Sequence, residues 1–297
     1  MAFWVALLVR AVCSALVVVV ASVAAEATGP FWGGLIISLP IAAGPAYVML
    51  ALQHDSTFIA ASALGSIATN AATFVLLTAI ALLAPRRPRW QTISAALTAW
   101  ALTVAAIHTV DWSLTGAVIL NLVLIALAYQ LTRPATRAPA AARAPLRRNR
   151  YELPCRAALV GIIVATVVTT SRALGPSLTG MASVFPVAFT SFAFLVLPRL
   201  GGIAAAAVMA SAVRALPGFA LSLLVLHLTA IPLGTWPALL AMLLTSLLWS
   251  AGMMAVRARR LPVAAIDGAA IDGAAIADVT PTPAHQPATH PTATPAR

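Results

Sequence analysis

The sequence predicts an all-α integral membrane protein of about nine transmembrane helices, arranged as two inverted four-helix repeats joined by an extra helix. Three observations carry this: an apolar composition, arginines gathered on alternate connections, and a motif that recurs at one fixed offset. The chain has 297 residues, 61% of them hydrophobic and 8% charged, with a mean hydropathy of +0.97. A soluble core of this length does not use so much apolar surface. Several segments approach the ~20 apolar residues that cross a bilayer. They are continuously apolar rather than alternating, which argues against a β-barrel.

The spans fall at roughly 4–25, 30–52, 57–84, 91–109, 113–131, 156–174, 177–198, 202–230 and 236–256. The first resembles a signal peptide followed by a small-residue cleavage site, "SVAAEATGP". Its counterpart deep in the chain makes a retained first span the expected reading. Span 5 follows span 4 after little more than Asp111-Trp112, so that hairpin must be tight.

All 18 basic residues are arginine, and the net charge of +11 comes from them. They cluster between spans and beside the last one, the pattern of cytoplasmic loops rather than of nucleic-acid binding. With the N-terminus outside, the inner segments hold Arg86, Arg87 and Arg89, then the run from Arg133 to Arg156, then Arg199, and finally Arg257, Arg259 and Arg260. Arg10 and Arg172 fall outside. The C-terminus is then cytoplasmic, and the location is a bacterial inner membrane.

Five parts follow: a first membrane repeat (1–112), a linking span (113–132), a basic cytoplasmic loop (133–155), a second repeat (156–260) and a cytoplasmic tail (261–297). The loop is Pro-, Ala- and Arg-rich and suits a mobile segment near anionic headgroups. The tail, "TPTPAHQPATHPTATPAR" at its end, has the composition of a disordered segment. Its His285 and His290 read as solvated. Cys13 and Cys155 belong to no CxxC pair or disulfide framework.

"GPFWGGLIISLP" (Gly29–Pro40) and "GPSLTGMASVFP" (Gly175–Pro186) both fit G-P-x3-G-x5-P. At an offset of 146, Arg10-Ala11 meets Arg156-Ala157, Gly34 meets Gly180, Pro40 meets Pro186 and Trp90 meets Trp236. Five spans separate the two starts, so the second copy enters the membrane in the opposite sense, as in many secondary transporters. Proline costs little in a first turn, but Pro40 and Pro186 lie about 15 Å along their spans, near the midplane. There each removes a donor, which predicts free carbonyls at Ile36 and Ala182. The segments are either discontinuous helices framing a substrate site or kinked helices packed through Gly33, Gly34 and Gly180.

Arg214, about 18 Å into span 8, also reads as near the midplane. No acidic residue stands at comparable depth, so its partners are freed carbonyls or an anionic ligand. Asn70, with Thr69 and Thr73, and Asn121 in span 5 read as interhelical hydrogen-bonding groups or ligand contacts. The candidate substrate-binding set is Arg214, Pro40, Pro186, Gly34, Gly180 and Asn70. The lack of buried carboxylates argues against a carboxylate proton relay or a dedicated sodium cage. His54, Asp55, His108, Asp111 and His227 come from separate segments without ligand spacing, so no metal and no cofactor is expected. No Walker A, GxGxxG, HExxH or GxSxG motif occurs, and no nucleophile–base set can be assembled, so the chain does not read as an enzyme.

The segments "GPFWGGLIISLPIAAGP" and "TGMASVFPVAFTSFAF" resemble those of bacterial multi-pass inner-membrane proteins with repeated G-P-x3-G-x5-P segments. The second, from Gly180 to Pro186, is also similar to the small GlpM-like membrane proteins, one of which would cover about one repeat. The expected function is an inner-membrane transporter or permease-like protein for a small solute, an anion being a class that Arg214 would suit. A non-transporting scaffold or accessory protein in envelope or exopolysaccharide assembly is the alternative. The expected partners are the lipid bilayer and a small-molecule substrate, with no nucleic acid; a homo-oligomer fits either reading.

Overall fold

A computed structural model describes residues 43–137, 152–195 and 201–259. These are helical throughout, with no strand among them. In chain order they form α1 (Ala43–Ala51), α2 (Ser56–Leu83), α3 (Arg89–His108), α4 (Leu114–Thr132), a 3-10 turn (Pro134–Arg137), α5 (Glu152–Ser183), α6 (Val187–Leu195), α7 (Gly202–Ala215), α8 (Pro217–Leu233) and α9 (Thr235–Arg259). The chain divides into two compact units, Met1–Met254 and Ala255–Arg297, and the helix packing below belongs to the first.

Six helical stretches are long and apolar enough to cross a membrane: Ser56–Leu83, Arg89–His108, Leu114–Thr132, Gly161–Ser183, Gly202–Leu233 and Thr235–Met253. The protein is thus a helical membrane protein by length and composition of its helices. Expected span 1 lies outside the described residues, as do Gly34 and Pro40 of span 2 and the tail from 261. The 133–155 connection is not wholly loop, since Pro134–Arg137 is helical and α5 already begins at Glu152.

α2 is the axis of the unit. In its most apolar 18 residues 78% are buried, against 17–33% in the corresponding parts of the other five stretches, so neighbours surround it more than any other helix. It packs against α3, α4, α5, α7 and α8. Asp55 caps its start, its carboxylate accepting from the Phe58 N–H at 2.9 Å and the Thr57 hydroxyl at 2.8 Å. The tight α3–α4 hairpin is closed by side chains. Ser113 caps α4 through the Gly116 N–H, and the Trp112 indole N–H donates back to the Ile107 carbonyl at 2.8 Å.

Three breaks interrupt the spans. Inside α5, Gly175 adopts φ 73°, ψ 175°, a region that favours glycine, and Pro176 restarts the helix. The Thr179 hydroxyl donates to the Gly175 carbonyl at 2.6 Å. The second break, at Val184–Pro186, separates α5 from α6, because Pro186 cannot donate and the chain turns instead through Phe185 N–H to Ala182 and Val187 N–H to Phe185. The Ala182 carbonyl is therefore occupied, contrary to the sequence expectation that it is free. The third kinks the expected span 8 without dividing it, since Leu216 keeps helical angles and Gly202–Leu233 remains one apolar stretch. Pro217 has no N–H for the Val213 carbonyl, so α7 ends at Ala215 and α8 starts at Pro217.

Side chains fix the vertical order. Asn70 on α2 bonds Asn121 on α4, each near the middle of its helix. Phe185 meets Trp100 edge-on at 5.1 Å, and Trp100 lies eight residues, about 12 Å, from the end of α3. Phe194 meets Trp90 in the first turn of α3 at 5.8 Å. The stretch after Gly175 thus runs to the end of the bundle that carries Arg86, Arg87 and Arg89, and its break at Val184–Pro186 falls at mid-depth. The opposite end carries His54.

Candidate functional site

The site assembles around one face of α2. Ser62, Ser66, Thr69 and Thr73 recur at intervals of four, three and four residues, which puts them on one side of the helix. All four are buried. Gly65 and Ser62 press this side against the segment of α5 after Gly175. A methyl at Gly65 would stand 2.6 Å from the Ser177 carbonyl oxygen, and one at Gly180 would overlap the Ser62 carbonyl. Gly180 is therefore a close-approach residue, where two backbones touch because neither has a side chain between them. A relay ties in α1: the Tyr47 hydroxyl donates to Ser66 Oγ at 2.6 Å, and Ser66 Oγ to the Gly180 carbonyl at 2.7 Å.

The other hydroxyls of this face have no hydrogen-bond partner among the described residues. Ser and Thr in apolar helices commonly satisfy themselves by donating to the carbonyl four residues earlier. Many hydroxyls on the other helices do so: Thr103 to Ala99, Thr132 to Ala128, Thr190 to Pro186 and Thr245 to Ala241. On α2, Ser62 Oγ, Thr69 Oγ1, Thr73 Oγ1 and Asn70 Oδ1 are buried and bond nothing among the described residues. Trp100 Nε1 on α3 and Ser246 Oγ on α9 are in the same condition, and these two positions are 146 residues apart. A buried hydroxyl or amide oxygen without a partner costs about 1–3 kcal/mol. Thr69, Asn70, Thr73 and Trp100 all lie at the mid-depth of the Val184–Pro186 break.

Of the sequence-predicted residues, Asn70, Gly180 and Pro186 belong to this region. Asn70 is held from below: its Nδ2 donates to Asn121 Oδ1 at 3.0 Å, while Asn121 Nδ2 donates to the Ile67 and Ala117 carbonyls at 2.6 and 2.9 Å. Gly34 and Pro40 lie outside the described residues. Arg214 is elsewhere. Its guanidinium stands 5.3 Å from the Tyr129 ring centre, and Tyr129 is three residues from the end of α4. Measured from Asn121, the Tyr129 Cα is about 12 Å toward the Arg86 end, so the guanidinium lies on that side of the midplane. The hydroxyl row and the Asn70–Asn121 pair are what the sequence reading missed as a unit; the signal for the row is the four-three-four spacing within "STFIAASALGSIATNAATF".

The His54 end carries a polar latch. Ser171 Oγ donates to the Val168 carbonyl, so at 2.7 Å from it His54 Nε2 is the donor. The ring stacks on Phe58 at 3.7 Å. Burial, then the charge of Arg172, holds the His54 pKa below its ordinary 6.5, against a weaker opposing pull from Asp55. Its proton is bound more readily by the unfolded chain, so stability is full above about pH 6.5 and declines as pH falls from there toward the lowered value. Thermal midpoints in detergent should drop between pH 7.5 and 5.5, and His54→Gln, which keeps a donor, should flatten that slope. His227 Nδ1 donates to the Ala60 carbonyl at 2.8 Å. Among the described residues, no three of His, Cys, Asp and Glu come together as metal ligands do.

No family model, curated protein or solved structure matches this chain, so the site's chemistry rests on its own residues.

Proposed function

We propose that the protein is a transporter or permease-like protein of a bacterial inner membrane, with the N-terminus outside, and that a small solute binds at mid-depth beside α2. The observation that carries this reading is the buried Thr69, Asn70 and Thr73 oxygens, which find no partner among the described residues and stand level with the Val184–Pro186 break. In lipid, irregular backbone persists where it is buried in protein or lines a water-filled path, and unpartnered polar groups beside it support the second. The two inverted repeats belong to the same proposal. In support of them, α2 and α7 start at Ser56 and Gly202, and α3 and α9 at Arg89 and Thr235, both pairs 146 residues apart. Inverted repeats place a site between them about which each half can rock.

The scaffold alternative draws on the close contacts of Gly180 with Ser62 and of Gly218 with Trp249, which suit a rigid, dry bundle. Cysteine labelling separates the two. With Cys13 and Cys155 replaced by serine, Thr73→Cys in membrane vesicles should react with a small uncharged methanethiosulfonate reagent in a transporter. An inert Thr73→Cys variant, with a lipid-end control cysteine reacting normally, would count for the scaffold.

A further inference from the structure

We infer that the solute is uncharged and hydrogen-bonding, of the class of small polyols and amides, rather than an anion. The inference rests on the proposed mid-depth site and deepens it. Every unpartnered group there is a neutral dipole: Thr69 and Thr73 hydroxyls, each able to donate and accept, the Asn70 carbonyl oxygen as acceptor, and the Trp100 indole N–H as donor. Such a set matches, group for group, a molecule that itself carries hydroxyl or amide groups. An ion at that depth would exchange its hydration for neutral dipoles alone, which repay it poorly in a low-dielectric interior. A polyol or amide surrenders only hydrogen bonds, and the row returns them in kind.

The position of the cation decides the same way. Arg214, the residue on which an anionic substrate would rest, lies over Tyr129 toward the Arg86 end. Asp55 and Asp111 lie at the opposite end, one as the cap of α2 and the other in the α3–α4 turn. The described charges flank the hydroxyl row instead of entering it. The row also has the mixed polarity that an anion site lacks: an acceptor oxygen, Asn70 Oδ1, faces the same level as the donors and would repel a carboxylate or phosphate.

The test is reconstitution of the full chain in liposomes, with stopped-flow light scattering under urea and glycerol gradients and a parallel assay of formate and phosphate entry. Urea or glycerol permeability should exceed that of protein-free liposomes, with formate and phosphate at background. Thr73→Val should lower it about tenfold, the equivalent of one lost hydrogen bond. Thr73→Ser, which keeps the hydroxyl, should retain it, so a variant that merely folds badly is recognised. Anion entry with the neutral solutes at background overturns the inference, as does background entry of all four. Labelling of the Thr73→Cys variant then tells the cases apart: a reactive thiol leaves the transport reading standing, and an inert one removes both.

Discussion

Gly180→Ala should yield little folded protein. The added methyl has nowhere to go, because the Ser62 carbonyl already occupies its position and both partners are backbone in the middle of helices. Relief requires the segment of α5 after Gly175 to move off α2, which breaks the bond from Ser66 Oγ to the Gly180 carbonyl and, through it, the one from Tyr47. Overpacking of this kind costs about 1–3 kcal/mol before any hydrogen bond is lost. Fluorescence-detected size exclusion in mild detergent should show the monodisperse peak replaced by aggregate. Ser62→Ala is the matching control. It removes a hydroxyl that bonds nothing among the described residues and leaves the carbonyl in place, so its profile should equal that of the unaltered chain. Equal profiles for Gly180→Ala would mean that the two helices are not in contact.

Asn121→Leu should be the most damaging single change on α4. Asn121 is 4% exposed and makes three hydrogen bonds, one of them the support of Asn70, which is wholly buried. Leucine leaves the Asn70 amide stranded at mid-depth, a loss of about 1–3 kcal/mol for an unpaired buried polar group. Interhelical side-chain bonds in membranes average only about 0.6 kcal/mol when both partners are removed in a cycle. The asymmetry gives the check. The double variant Asn70→Leu with Asn121→Leu should unfold at a higher temperature than Asn121→Leu alone, since it strands nothing. A double variant less stable than either single one would show that the pair acts through shape rather than through its hydrogen bond.

Much of the backbone was legible in the sequence because glycine and proline act locally. Gly175-Pro176 and Pro186 break the chain where their chemistry demands, and Ser56, Arg89, Gly202 and Thr235 open helices close to the expected span starts. Errors arose where geometry depended on neighbours. Counting 1.5 Å per residue from the start of span 8 put Arg214 at the midplane, but this assumes one helix perpendicular to the membrane. That count places the Cα, whereas the long arginine side chain carries its guanidinium away from it to the Tyr129 ring, and α7 packs against both α4 and the 3-10 turn on that side. The Ala182 carbonyl was expected to be free because proline lacks a donor, yet a three-residue turn supplies one from Phe185. The hydroxyl row was visible as spacing, but that its members forgo their own helix's carbonyls is a matter of rotamer, which no pattern of letters encodes. Asn70 and Asn121 were each recognised as interhelical donors, and only packing could pair them.

The burial of α2 has a consequence for how the protein is made. A helix that its neighbours largely cover in the finished molecule is synthesised early, and the segment that covers its hydroxyl face arrives late. From Leu83 to Gly180 is about 100 residues, about 5–20 s of translation. During that interval Ser62, Ser66, Thr69 and Thr73 face bilayer or insertion machinery instead of α5. Even in isolation α2 is apolar enough to cross the membrane, so it can wait there as an independent span. Assembly then proceeds by wrapping later helices around a preinserted post, and premature pairing of that polar face with another membrane helix is the hazard the chain must outlast.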